Sequence, residues 1–263
     1  MRDNWLKPLK LTVRRLAPRL YDPLQSAIYQ RRYGSIGRTL DGIYGCRIAS
    51  GPFQGMTYLV EAAGSQLLPK RLGTYEAELA PLIHAFPAAH YLQVIDIGCA
   101  EGYYAVGLAL LLPAATVEAF DTDPRAQDLC GRLASLNGVS DRVRVNGECS
   151  PATLEHLVGE RSLVICDCEG YESELFTPAV ATALAKADVL VELHEFFAPG
   201  VTQRLQDRFA NSHEIQLITA RKRSQGEFTA TSILSRRQAR RAMDEGRPAD
   251  QQWLWARSRR RDQ

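Results

Sequence analysis

Val94-Ile95-Asp96-Ile97-Gly98-Cys99-Ala100-Glu101-Gly102 is the stretch whose reading decides the fold. A short apolar run ends in an acid, two glycines open a turn, and residues 103–112 continue as an apolar helix-length segment. That order describes a buried strand entering a helix at its carboxyl end, as in a parallel sheet covered on both faces. Ligands of such sheets sit beyond the carboxyl ends of the strands, and the first strand–helix loop is their cradle. A dinucleotide fingerprint would need glycines at 98, 100 and 103, but Ala100 and Tyr103 stand at two of those places. The loop also lacks the Lys-Ser/Thr of a nucleoside-triphosphate site. What it offers is an acidic strand end at Asp96 and close backbone approach at Gly98, Cys99 and Gly102. Those features suit a ligand with a cationic amino-acid part rather than a pyrophosphate.

Outward from this loop the pattern repeats. Strand-length apolar runs occur at 91–97, 116–120, 142–145, 162–166 and 188–193, with helix-length segments near 103–112, 124–136, 151–158, 173–186 and 200–210. The alternation predicts an α/β fold, a doubly wound, mostly parallel, seven-stranded sheet of Rossmann-like type. Residues 213–220 and 227–234 read as an antiparallel hairpin that closes it. Residues 41–60, with Gly42, Gly45, Gly51 and Gly55, read as a small β-hairpin region, and 73–86 as an amphipathic helix. The expected division is an N-terminal helical and hairpin extension over 1–69, the main domain over 70–235, and a solvated basic tail over 236–263.

Strand two ends in Val117-Glu118-Ala119-Phe120-Asp121-Thr122-Asp123-Pro124. An acid about twenty residues past the glycine loop is placed to accept both ribose hydroxyls of a nucleoside. Asp121 is that residue, with Thr122 beside it and Asp123 as the alternative. Loop and acid together point to an adenosine-bearing cofactor without phosphates, and S-adenosylmethionine fits best.

These segments resemble the class I methyltransferases, and more closely the FkbM-like family. The stretch 94–105 is similar to that family's first motif, 119–124 to its AFEPxP segment with Asp121 in place of Glu, and 136–145 to its LNGL-type segment. Asp167-Cys168-Glu169-Gly170-Tyr171-Glu172 resembles its D-x-E-G-x-E string, and 191–196 its following strand. The resemblance covers roughly residues 70–235, with 51–56 and 67–79 like segments of one subgroup. It implies S-adenosylmethionine-dependent methyl transfer, with S-adenosylhomocysteine as by-product, to a hydroxyl of a sugar or natural product. It also implies Glu148 and Cys149 at the adenine and Glu76 at the cofactor's ammonium.

An alcohol is a weak nucleophile at neutral pH, so a base near its proton should help by roughly 10²–10⁴-fold. Asp167 and Glu169 follow strand four, while Glu192 and His194 end strand five. His194 is the expected base, because imidazole titrates near the working pH. Glu192 shares its strand face, and Asp167 would orient the substrate or the cofactor's methionine part. Asp167, Glu169, Glu192 and His194 would suit Mg²⁺ or Mn²⁺ better than Zn²⁺, but no spacing rule demands a metal and none is expected. N-methylation on the same fold, or a non-catalytic S-adenosylmethionine-binding accessory protein, are the other readings.

Composition sets the outer limits. The chain has 263 residues, 45% apolar and 24% charged, which is ordinary for a folded globular domain. No run approaches the roughly 18 apolar residues that span a bilayer. Arginines interrupt the first 20 residues where a secretory signal needs an apolar core, and six dilute cysteines read as small apolar fillers, so a reducing cytoplasmic setting is expected. The net charge of +2 is segregated: residues 1–40 and 221–263 each carry +7, leaving −12 between them. So acidic a centre predicts no nucleic-acid partner, and the small hydroxylated substrate is what the resemblance implies. Residues 3–32 read as short amphipathic helices that pack on the domain, on a second copy of the chain, or weakly on anionic membrane.

Overall fold

The computed structural model describes residues 34–63, 65–247 and 251–260. The amphipathic arm over 3–32 lies outside the described residues.

Seven strands form one sheet: β1 (Gln93–Ile97), β2 (Thr116–Phe120), β3 (Val143–Asn146), β4 (Ser162–Cys166), β5 (Asp188–Leu193), β6 (His213–Thr219) and β7 (Gln252–Ser258). Their order is β3-β2-β1-β4-β5-β7-β6. Strands β1 to β5 pair in parallel. β7 runs antiparallel to both β5 and β6. The order reverses between β1 and β4, which places the ligand crevice beyond their carboxyl ends.

Alternation along the strands explains the two-sided core. Val94, Val117, Leu163, Ile165 and Leu190 pack on one face with Trp253 and Trp255. Ile95, Ile97, Val164, Val189 and Val191 pack on the other with Leu254 and Ala256. Every residue of β4 and β5 is buried. That accounts for the apolar stretches Leu163–Cys166 and Val189–Val191 within them.

The closing hairpin takes a different segment from the one expected. β6 pairs with Gln252–Ser258, whereas the expected partner, 227–234, forms short 3-10 turns. The stretch read as a solvated tail therefore supplies an internal strand, and Arg236–Ala242 supplies a helix with a Ser235 capping box. Ala239, Ala242 and Met243 join Leu68, Leu72 and the 34–44 helix residues Ile36 and Leu40 in a third apolar cluster. The divisions at 69/70 and 235/236 thus cut through shared packing.

In the 41–60 region, residues 41–44 complete the 34–44 helix, and the rest keeps one antiparallel bridge, Arg47–Thr57, among turns and bends. In 73–86 the helix covers only Ala80–Ala85, with Pro81 in its first turn. The residues before it turn sharply, and Glu76 holds φ 46°.

Candidate active site

The glycine loop is built by close backbone contacts. Gly98 has φ 82°, and a Cβ there would lie 1.8 Å from the Asp167 carbonyl oxygen. No side chain fits where β1 and β4 end side by side. At Gly102, the residue before the Tyr103–Leu111 helix, a Cβ would meet Cys130 Sγ at 2.8 Å.

Four of the five amides over 98–102 are spent within the protein. Gly98 and Cys99 N–H both donate to the Phe120 carbonyl, at 2.8 and 2.9 Å, and Gly102 N–H donates to Cys99 at 2.8 Å. Ala100 N–H donates to Asp121 Oδ2 at 2.9 Å. A pyrophosphate cradle needs those donors turned toward the ligand. Here a carboxylate takes one of them.

Asp121 accepts from Asp123 N–H as well, at 2.9 Å, so its carboxylate lies folded over the loop. An ionised carboxylate has about four acceptor positions, which leaves room for ribose hydroxyls. Burial raises the Asp121 carboxyl above its usual range. Asp123, the alternative, caps the Pro124–Leu136 helix through Arg125 N–H. Thr122 and Glu148 are exposed, while Cys149 is buried and its thiol is pushed up to about 12. Asp96 is 2% exposed with Oδ2 lacking a hydrogen-bond partner, and burial pushes its carboxyl up to about 8.

Asp96 gives a pH signature. A carboxyl raised in the folded state binds a proton that the unfolded chain has released, so stability falls as pH rises from the unfolded value near 4 to about 8 and levels off above. Asp96→Asn lacks this term. Without ligand, its thermal stability is expected to gain on the native protein by up to about 1.4 kcal/mol per pH unit across that window. A constant difference from pH 5 to 8 would count against a raised Asp96 carboxyl.

His194 sits among four carboxylates at the ends of β4 and β5. Its Nδ1 meets Glu172 Oε1 at 2.5 Å, and its Nε2 lies 3.5 Å from Asp167, 3.7 Å from Glu169 and 3.9 Å from Glu192. Glu172 is fully buried and also accepts Gly170 N–H at 3.1 Å. It fixes the ring and leaves Nε2 facing the cleft. Burial alone would lower the imidazole pKa, but the Glu172 hydrogen bond and the Asp167 charge raise it above its usual value. Burial and the neighbouring Asp167 hold the Glu192 carboxyl above its usual range.

Ligand atoms of Asp167, Glu192 and His194 all lie within 4.8 Å of one another, the spacing of a possible metal site. The donors suit a hard divalent ion. Arg247, however, already stands 2.8 Å from Glu192 and supplies positive charge there.

Arg247 is the site residue that the sequence did not reveal. It also pairs with Glu76, and its Nη2 donates to Tyr75 Oη at 2.6 Å. Glu76, expected at the cofactor's ammonium, is buried beneath this guanidinium and takes the Tyr104 hydroxyl as well. Glu101 inside the glycine loop was likewise missed. It is fully buried and bonded to Lys70 Nζ at 2.6 Å, Tyr58 Oη at 2.6 Å and Ala63 N–H at 3.0 Å. The loop is thereby pinned to the N-terminal region.

No family model matches the chain. It is 25% identical over 197 residues to the tRNA1(Val) (adenine(37)-N6)-methyltransferase of Porphyromonas gingivalis, covering 68% of this chain and 75% of that one. It is 29% identical over 150 residues to the ribosomal protein L11 methyltransferase of Herpetosiphon aurantiacus, covering 52% and 46%. The solved human methyltransferase 10 domain containing protein superposes with a TM-score of 0.50 at 13% identity, over 84% of this chain and 97% of that one. One of these relatives is named for an RNA substrate and another for a protein substrate, so the exclusion of nucleic acid drawn from charge has no support from the comparisons. Among the described residues no helix is long and apolar enough to cross a membrane. Sheet order and homologues together give the chain the class I methyltransferase fold and S-adenosylmethionine-dependent methyltransferase activity.

Proposed function

We propose that this methyltransferase acts on a hydroxyl of a small molecule, a sugar or natural product, as the FkbM-like resemblance implies. The observation that carries this reading is His194, its Nδ1 held by buried Glu172 and its Nε2 open to the cleft between Asp167 and Glu192. S-adenosylmethionine supplies an electrophilic methyl on a cationic sulfur. The glycine loop and Asp121 would take its adenosine, Glu148 and Cys149 would lie toward the adenine, and the acids of the crevice favour its positive charge. When bound, it would give its methyl to the acceptor oxygen and leave as S-adenosylhomocysteine. The hydroxyl proton passes to His194 Nε2, and the resulting imidazolium is stabilised by Glu172 and Asp167. Arg247 holds Glu192 in place, and alignment with exclusion of water does the remainder.

Internal satisfaction of the loop amides supports a donor without phosphate. Calorimetry is expected to show binding of S-adenosylmethionine and S-adenosylhomocysteine, weakened by Asp121→Ala by about tenfold or more for two lost charge-assisted hydrogen bonds. Preferential binding of a nicotinamide dinucleotide would refute the assignment. N-methylation is the second reading, favoured by the tRNA adenine-N6 relative, since the same carboxylates can orient an amine.

A further inference from the structure

The loop after β5 presents two phenylalanines at the mouth of this cleft. Phe196 is 76% exposed and Phe197 36% exposed, with ring centroids 5.3 Å apart in an edge-to-face pair. Large apolar side chains left in water beside a site are informative, whereas single scattered ones are not. Their placement is fixed by the backbone. Glu195 turns back to accept Gly200 N–H at 2.7 Å and Thr202 N–H at 2.9 Å, starting the Val201–Phe209 helix. The His194 carbonyl accepts Phe197 and Ala198 N–H, both at 2.9 Å. A Cβ on Gly170 would meet Phe197 Cβ at 2.7 Å, so the base of the Phe197 side chain packs against the Asp167–Glu172 string. Phe197 is also 6.2 Å from the His194 ring.

Glu169 precedes the glycine that Phe197 packs against, and its side chain is 57% exposed with Oε2 3.7 Å from His194 Nε2. Among the described residues no lysine or arginine pairs with it. Deeper in, Glu172 is fully buried, and its Oε2 lacks a hydrogen-bond partner beside the oxygen that meets His194. An aromatic face next to a carboxylate is the chemistry that takes an ammonium group. It is also the chemistry that repels phosphate.

We propose that Phe196, Phe197 and Glu169 form an ammonium-binding mouth, so that the acceptor is a small hydroxylated molecule carrying a basic nitrogen. The inference rests on His194 facing the reacting hydroxyl. A nitrogen held by Glu169 and an oxygen held by His194 Nε2, groups 3.7 Å apart, fit a vicinal amino alcohol. The exposed aromatic pair takes the apolar part of such an acceptor.

The test is equilibrium binding to the full chain saturated with S-adenosylhomocysteine. The probes are methyl glucosaminide against its N-acetylated and 6-phosphorylated counterparts, and phenylglycinol against phenylethanediol. The aminated member of each set is expected to bind roughly tenfold tighter than its neutral partner. The phosphorylated sugar is expected to bind more weakly still. Glu169→Gln should erase the amine preference in both sets, and Phe196→Ala should weaken the aminated probes severalfold. Equal affinity for aminated and neutral probes, binding of none of them, or methylation of an RNA transcript in preference to aminated alcohols would each overturn the proposal. Binding of S-adenosylhomocysteine itself, measured first, separates failure of this inference from failure of the methyltransferase reading.

Discussion

Replacing His194 is expected to lower kcat by about 10²–10⁴-fold, the usual contribution of a positioned general base. The loss should fall on kcat and kcat/KM together, because proton acceptance develops in the transition state. His194→Ala has a second effect. It strips Glu172 of its imidazole partner, and an uncompensated buried carboxylate is costly to the fold. His194→Asn places an amide donor near the former Nδ1 and isolates the chemical loss from the structural one. Both variants should be nearly inactive, with His194→Asn retaining more of the native thermal stability. The raised imidazole pKa adds a signature: kcat/KM of the native enzyme should climb with pH through a value above 6.5. Glu172, Asp167 and Glu169 are the groups facing the ring that set this direction. Full turnover in His194→Asn would remove the base assignment.

Gly98→Ala is expected to be among the most damaging single-atom-scale changes in the chain. Its methyl would point at the Asp167 carbonyl 1.8 Å away, and φ 82° is strained for any L side chain. Neither contact can be relieved by a side-chain rotation, since the obstructing atoms are backbone at the end of β4. The loss is expected to reach about 4 kcal/mol or more, the range reserved for specific steric or polar faults. At about 2–4 °C per kcal/mol, that lowers Tm by on the order of 10 °C. Gly131→Ala, at a helical position with no atom within 4 Å of the added carbon, is the control and should be near neutral or slightly stabilising. Similar stabilities for the two variants would contradict the close β1–β4 approach.

Strands β1, β2, β4 and β5 were legible because burial on both faces makes their runs mostly apolar, and glycine with acid at the ends of β1 and β2 marks the crevice. The C-terminal strand was not read, although Trp253-Leu254-Trp255-Ala256 is itself a run of strand-forming apolar residues. Its basic flanks, among them Arg257, Arg259 and Arg260, outweighed that local signal. β7 gains its stability from pairing with β5 on one side and β6 on the other, contacts that no local pattern encodes. Arg247 was hidden for the same reason, since its partner Glu76 lies 171 positions away and no motif links them. The structure brings His194, Asp167 and Glu192 together because residues at adjacent strand ends must meet. The hydrogen bond from His194 to Glu172 crosses from β5 to the Glu172–Leu175 helix and required the fold to be seen.

A crystal structure with S-adenosylhomocysteine bound is the most direct test of the crevice at β1, β2 and β4 as the donor site. The expected result is the adenosine laid across Gly98–Gly102, its ribose hydroxyls on Asp121 and its sulfur directed toward the cleft below His194. Occupancy of any other surface, or a ribose that makes no contact with Asp121, would contradict it.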